Sequence, residues 1–169
     1  MSVQPTIRIF QPTDDLVALT DLLHAAYRPL AKRNLYFLAT HQTPDVTARR
    51  IAKGTCFVAE WEGRLAGTIT VLPSNPENAL PLYREPGLFH FGQFGVHPDY
   101  KGQGLGRQLH TAIIDYARGQ GGKVMALDTA APATDLIEMY QRWGYREVGR
   151  TKWEQVNYES VLMTKSLVS

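Results

Sequence analysis

The sequence predicts a single mixed α/β domain of about seven strands and four helices. Three observations carry that expectation. The 169 residues fall within the range of one domain and can bury about two thirds of the unfolded surface, so no disulfide is needed to hold it. Apolar alternation and helical stripes follow one another along the whole chain, a pattern that builds one sheet covered by helices. No repeat, low-complexity tract or linker divides the chain, so residues 1–169 read as one domain.

The elements follow in order. "TIRIF" alternates like a short strand. In "TDDLVALTDLLHAAY", Leu16, Leu19, Leu22, Leu23 and Ala26 recur at helical spacing behind Thr13, the expected cap. Thr43 caps a second helix, Pro44 opens it, and Gly54 closes it after Lys53. "CFVAEWEGRLAGTITVL" reads as a hairpin turning at Glu62-Gly63. The stretch "PSNPENALPLYREPG" carries prolines at 73, 76, 81 and 86, too many for regular structure and too long for a mere connector, as in loops that line sites. "LFHFGQFGV" is an aromatic strand interrupted by Gly92 and Gly95, which suggests a bulge or a close approach. From Gly104 to Arg118 the residues Leu105, Leu109, Ala112, Ile113, Tyr116 and Ala117 form one helical stripe ending at Gly119. "KVMALDT" is a buried strand. Thr134 or Asp135 caps the last helix, with Glu138 completing a capping box, Leu136, Ile137, Tyr140 and Trp143 facing inward, and Gly144 closing it. Strands over Tyr145 to Trp153 and Asn157 to Ser166 finish the chain.

Composition excludes several function classes. The net charge of +2 and pI near 8.7 are too weak to argue for nucleic acid, which normally leaves a basic face or run. A small anionic ligand fits as well. Cys56 is the only cysteine, so there is no internal disulfide and no cysteine-rich metal site, and a reducing, cytoplasmic setting is the natural reading. Its expected role is a small core residue. "MSVQPTIRIF" lacks a charged start followed by a long apolar stretch, and no apolar run is long enough to span a bilayer. His24, His41, His97 and His110 show no metal spacing, so no metal is expected.

The most informative stretch is "HPDYKGQGLGRQL", where Gly102, Gly104 and Gly106 alternate between Lys101 and Arg107. Glycine costs about 0.5–1 kcal/mol relative to alanine inside a regular element, so the cluster needs a reason. A helix amino terminus carries unpaired amide donors and partial positive charge, and glycines let an anion approach them without meeting a β-carbon. The spacing departs from two nucleotide motifs. After Gly106 come Arg107-Gln108 rather than the Lys-Ser/Thr of a phosphate-binding loop, and Arg107 stands where a dinucleotide fingerprint needs its third glycine.

The stretch "FGVHPDYKGQGLGRQLHTAII" resembles the acetyl-CoA signature of the GNAT superfamily of N-acetyltransferases. There, a turn of form Gln/Arg-x-x-Gly-x-Gly/Ala between strand and helix cradles the cofactor's pyrophosphate. Here the turn is Lys101-Gly102-Gln103-Gly104-Leu105-Gly106, with lysine in place of the usual planar first residue. "ATDLIEMYQRWGY" is similar to the family's second signature, with Ala133 where many relatives have an asparagine that contacts pantetheine. The resemblance implies the GNAT-like acyl-CoA N-acyltransferase fold, an acetyl-CoA co-substrate and no metal. It implies that Lys101 through Arg107 hold the diphosphate. It also implies that the strand ending at Val96 splays from "KVMALDT", so that the pantetheine arm pairs with the backbone of Phe94, Gly95 and Val96 and an amide there stabilises the oxyanion.

For the reaction, the resemblance implies direct attack of an amine on the thioester, with Tyr140 as the acid that protonates the departing thiolate. A phenol near pKa 10 gives its proton to a thiolate near 8.5 uphill by about 2 kcal/mol, so a factor of about a hundred is expected. Gln93 occupies a strand position where several relatives carry a glutamate, and an amide takes no proton. His90 is the nearest titratable substitute, and Glu85 could act through water; structural or surface roles compete for both. Recognition of a small-molecule amine is assigned to the first two helices and the loop from Pro73 to Gly87. Within them Tyr27, Arg28, Tyr83 and Arg84 suit a ligand, although ordinary surface is the expectation for each. A protein or peptide N-acetyltransferase and a non-catalytic acyl-CoA-binding module are the alternatives, and edge-strand pairing would make a homodimer.

Overall fold

A computed structural model describes residues 4–168; residues 1–3, which begin the amino-terminal stretch considered above, and residue 169 lie outside it. Strands β1 (Thr6–Ile9), β2 (Thr55–Trp61), β3 (Arg64–Pro73), β4 (Leu88–Val96), β5 (Val124–Ala130), β6 (Arg146–Thr151) and β7 (Ser160–Ser166) form one sheet. Helices α1 (Leu16–Lys32), α2 (Pro44–Ile51), α3 (Leu105–Gly119) and α4 (Thr134–Arg142) cover it. The strand order is β1-β2-β3-β4-β5-β7-β6, and the β4–β5 pair alone among these is parallel. This is the expected mixed sheet with its seven strands and four helices, and its edges are β1 and β6. No helix among the described residues is long and apolar enough to cross a membrane.

Side-chain alternation along the central strands sends residues to two helical layers. On β2, Phe57 and Ala59 join the cluster with Leu105, Leu109, Ile113 and Ala117 of α3. Cys56 and Val58 join Leu19 and Leu22 of α1 on the other face, so the cysteine is the small core residue expected. The α3 residues recur every fourth position, and burying each leucine or isoleucine contributes about 1.5–3 kcal/mol.

Two caps differ from expectation. The cap of α1 is Asp15, whose Oδ1 accepts from Ala18 N at 3.1 Å, rather than Thr13, and the helix runs on through Pro29 to Lys32. At α4, neither Thr134 nor Asp135 caps. The N-cap is Ala133, without a side-chain bond, and Asp135 in the first turn reaches instead to Arg33 at the end of α1, Oδ1 to Nη2 3.0 Å. The proline-rich loop contains one 3₁₀ turn, Pro81–Arg84.

The feature that positions the site is a divergence in the middle of the sheet. β4 pairs with β5 only over Leu88, Phe89 and His90, yet it continues beside β3 as far as Val96. Opposite the register shift at Thr68/Thr70, Gln93 adopts φ +47°, a backbone region costly for a side-chain-bearing residue. The bulge turns the second half of β4 away from β5, and a wedge opens below His90.

Candidate active site

A cavity of about 700 Å³ fills this wedge, a size suited to a cofactor arm together with a small substrate. Its walls include Phe94, Gly95 and Val96 of β4, Lys101, Gly102, Gly104, Leu105 and Gly106 of the following bend, and Tyr140 of α4. The bend and the strand end thus line one continuous space. Gln103 and Arg107 stand outside that lining; the Arg107 guanidinium lies 5.3 Å from the centre of the Trp143 ring. Among the described residues no cluster of three His, Cys, Asp or Glu is placed to hold a metal ion.

The bend has the geometry an anion needs. Gly102 and Gly104 both have φ +80°, a conformation cheap only for glycine, and a Cβ built on either meets nothing within 4 Å. Gly104 caps α3 without any side-chain bond. Among the described residues, no protein acceptor engages the amides of Gly102 through Arg107. Backbone donors at a helix start, left open beside Lys101, fit a diphosphate.

The strand end is shaped partly by α1. A Cβ on Gly95 would lie 2.6 Å from Ala26 Cβ, so this glycine serves the close approach of α1 to β4. The close approach suggested by this glycine is thus made by a helix of the protein itself. The Phe94 N–H donates to the Tyr27 hydroxyl at 3.0 Å, so one of the three backbone units expected to meet the arm is already engaged.

The polar end of the cavity draws its groups from distant parts of the chain. Asp128 of β5 lines it, accepting the Tyr83 hydroxyl on Oδ1 at 2.7 Å and Trp153 Nε1 on Oδ2 at 3.0 Å. Burial pushes its carboxyl above the usual range, opposed by those two bonds and by Arg50. His90 stacks on Tyr83 with centroids 3.9 Å apart, and burial lowers its pKa to about 4, so it is neutral at pH 7. Tyr140 is buried among Phe91, Trp143 and Tyr145. Burial, with Tyr27 and Asp128 nearby, holds its hydroxyl well above the ordinary phenol range. Among the described residues nothing hydrogen-bonds that hydroxyl.

Gln93 is withdrawn from the cavity's chemistry, since its Oε1 accepts Gln42 Nε2 at 2.6 Å. Glu85 is exposed and lies outside the cavity lining. Tyr27 and Tyr83, expected at the surface, are instead buried and line the cavity, whereas Arg28 and Arg84 are exposed. Asp128 and Arg50 were not singled out in the sequence. A signal for the first existed: Asp128 is the one charged residue in the apolar run "VMALDTA", and a charge in a buried strand has to be accounted for.

A mixed sheet that parts between two parallel strands, with an open amide bend on one lip and a carboxylate and phenol inside, is the architecture of an acyl-CoA-dependent acyltransferase. Residues 16–145 match the model of the Acetyltransferase (GNAT) family, and the chain belongs to that family as an acetyl-CoA-dependent N-acetyltransferase. It is 32% identical over 140 residues to the S-(2-succino)cysteine N-acetyltransferase of Bacillus subtilis (strain 168), covering 80% of this chain and 81% of that protein. It is 28% identical over 136 residues to the S-alkylcysteine N-acetyltransferase of the same organism, covering 78% and 74%. Among solved structures, a GNAT family acetyltransferase from Elizabethkingia anophelis with acetyl-CoA bound has the same fold, with a TM-score of 0.70 at 18% identity, covering 96% of this chain and 97% of that one.

Proposed function

We propose that the enzyme acetylates the α-amino group of a small amino acid, with S-substituted cysteines as the first candidates, by direct attack in a ternary complex. The observation that carries the reading is the Asp128 carboxylate, built into the cavity by Tyr83 and Trp153 in the same space as Tyr140 and the open bend. The two bacterial relatives, whose names give cysteine derivatives as substrates, support the choice of acceptor.

Acetyl-CoA supplies an activated acetyl thioester. The bend from Lys101 to Gly106 holds its diphosphate on backbone amides, and the walls at Phe94 to Val96 guide the arm toward Tyr140. At the reacting end, an ammonium group does not attack, so one proton has to leave first. Asp128 takes it, because burial raises its carboxyl above the ordinary range, which makes it a better base than a carboxylate in water. His90 shapes the wall, its ring stacked on that of Tyr83. Tyr140 stays protonated across the physiological range and delivers its proton to the departing sulfur, and the second proton, shed by the amine nitrogen as the amide forms, restores the phenol. Burial weakens it as an acid, but the same desolvation destabilises a thiolate beside it, so the proton transfer is not handicapped by the full shift.

The test is thiol release from acetyl-CoA with a panel of S-alkylcysteines, S-(2-succino)cysteine, polyamines and short peptides. Turnover of the substituted cysteines well above the peptides is expected. Preference for a peptide amino terminus overturns the choice of acceptor, and binding of acetyl-CoA without turnover of any amine points to a non-catalytic module.

A further inference from the structure

One cation on the cavity wall takes no part in the proton transfers. Arg50, in the last turn of α2, lines the cavity and lies half-buried beside β4 where Gly92 has no side chain; a Cβ there would sit 3.8 Å from Nη2. Its Nη1 donates to Gln42 Oε1 at 2.6 Å. Gln42 is itself fixed, with Nε2 donating to Thr47 Oγ1 at 2.8 Å and to Gln93 Oε1 at 2.6 Å. Gln42, Thr47 and Gln93 are all buried. Three neutral groups from α2, the segment before it and β4 therefore aim one guanidinium.

What they aim has no counter-ion. Arg8, Arg33 and Arg150 each pair with a carboxylate, whereas among the described residues Arg50 makes no ion pair. A guanidinium carries five donors, and a half-buried cation without an anion leaves donors that a ligand anion can take. Asp128 is close enough for each to influence the other, yet the two do not join. Asp128 is tied to Tyr83 and Trp153, and Arg50 to Gln42. Neutral partners hold a cation and an anion apart across one cavity.

We infer that Arg50 receives the α-carboxylate of the acceptor while Asp128 faces its α-amino group, which makes Arg50 the residue that selects free amino acids over simple amines and peptide termini. An α-amino acid carries both charges on one carbon and closes the gap between the two side chains. A monoamine offers no anion, and the first residue of a peptide has an amide where the carboxylate stands. A planar, forked guanidinium suits a carboxylate better than a lysine ammonium does. The inference rests on the acceptor being an amino acid, as proposed above.

The experiment compares S-ethylcysteine with its primary amide as acceptors for wild type, Arg50→Gln and Arg50→Lys, by thiol release. Using the same pair of acceptors on each enzyme cancels the different basicity of the two amines. The ratio of kcat/KM for acid over amide is expected to fall by about ten- to a hundredfold in Arg50→Gln, through the KM of the acid, with partial recovery in Arg50→Lys. The rise in Tm on adding acetyl-CoA serves as the check that each variant folds and binds its co-substrate. An unchanged ratio, or equal loss for acid and amide, overturns the role of Arg50 while leaving acetylation of amino acids standing. Failure of wild type to acetylate either compound removes the amino-acid reading and this inference with it.

Discussion

Replacing Asp128 by asparagine separates the two ways an amine can lose its proton. The substitution keeps the shape, and the amide can still accept from Trp153 while the Tyr83 hydroxyl turns to accept from the new NH₂. The α-amino group of a free amino acid, made more basic than a peptide terminus by its own carboxylate, is almost wholly ammonium at pH 7, so an enzyme without a base works only on the small neutral fraction. That restriction is the loss of general-base assistance, so the expected fall in kcat/KM at pH 7 is about a hundredfold. The variant should recover about tenfold per pH unit up to the pKa of the acceptor amine and then level off. Wild type should reach its plateau at lower pH. The assay is thiol release with S-ethylcysteine between pH 6 and 9.5. A variant with the wild-type pH profile and less than a few-fold loss refutes Asp128 as the base. The sign for stability is opposite. A carboxyl whose pKa is raised on folding stabilises the protein below its unfolded pKa and loses that contribution as pH rises through the folded one. Asp128→Asn should thus melt higher than wild type at pH 7, and that advantage should fade under acid conditions.

Three further outcomes follow from the same geometry. Tyr140→Phe should lower kcat by about a hundredfold with little change in the KM for acetyl-CoA, and full turnover with chemistry shown to be rate-limiting removes Tyr140 as the acid. Gly104→Ala places a Cβ in open space at φ +80°, so it should cost about 1–2 kcal/mol of stability through the backbone alone. Its larger effect should be weaker coenzyme A binding in calorimetry, because Gly104 lines the cavity and its strained replacement would shift the amides of the bend. His110 is buried against Tyr145, Nε2 to the hydroxyl at 2.7 Å, and burial, followed by Lys165 and Arg107, lowers its pKa to about 4. A depressed folded pKa contributes stability that is present above about 6.5 and lost as pH falls toward 4, up to about 3 kcal/mol; urea melts across that range should show a shallower loss in His110→Gln.

The sequence disclosed what depends on local pattern. The glycine bend, the α3 stripe and the hairpin at Glu62-Gly63 are written in neighbouring residues, and spacing alone finds them. Charge at the site was harder to read because it is assembled from afar. Arg50 looks like an ordinary basic residue near a helix end, and only the fold brings it under Gly92 of β4. Tyr83 looks like a loop residue until Asp128, 45 positions away, takes its hydroxyl. Gly95 signals a close approach in the sequence, but its partner, Ala26 of α1, is a tertiary neighbour that no local pattern names. The caps failed for a related reason. Asp135 has the chemistry of a cap, yet an ion pair with Arg33 from another helix claims it.

The claim on which the enzyme's chemistry depends is that the uncovered amides before and within the first turn of α3 bind the diphosphate of acetyl-CoA. A crystal structure of the coenzyme A complex measures this directly. Diphosphate oxygens should lie about 2.7–3.2 Å from the backbone nitrogens of residues 103–106, with the arm running past Phe94 toward Tyr140. Coenzyme A bound with its diphosphate elsewhere, and those amides closed by the protein's own acceptors, would contradict the account.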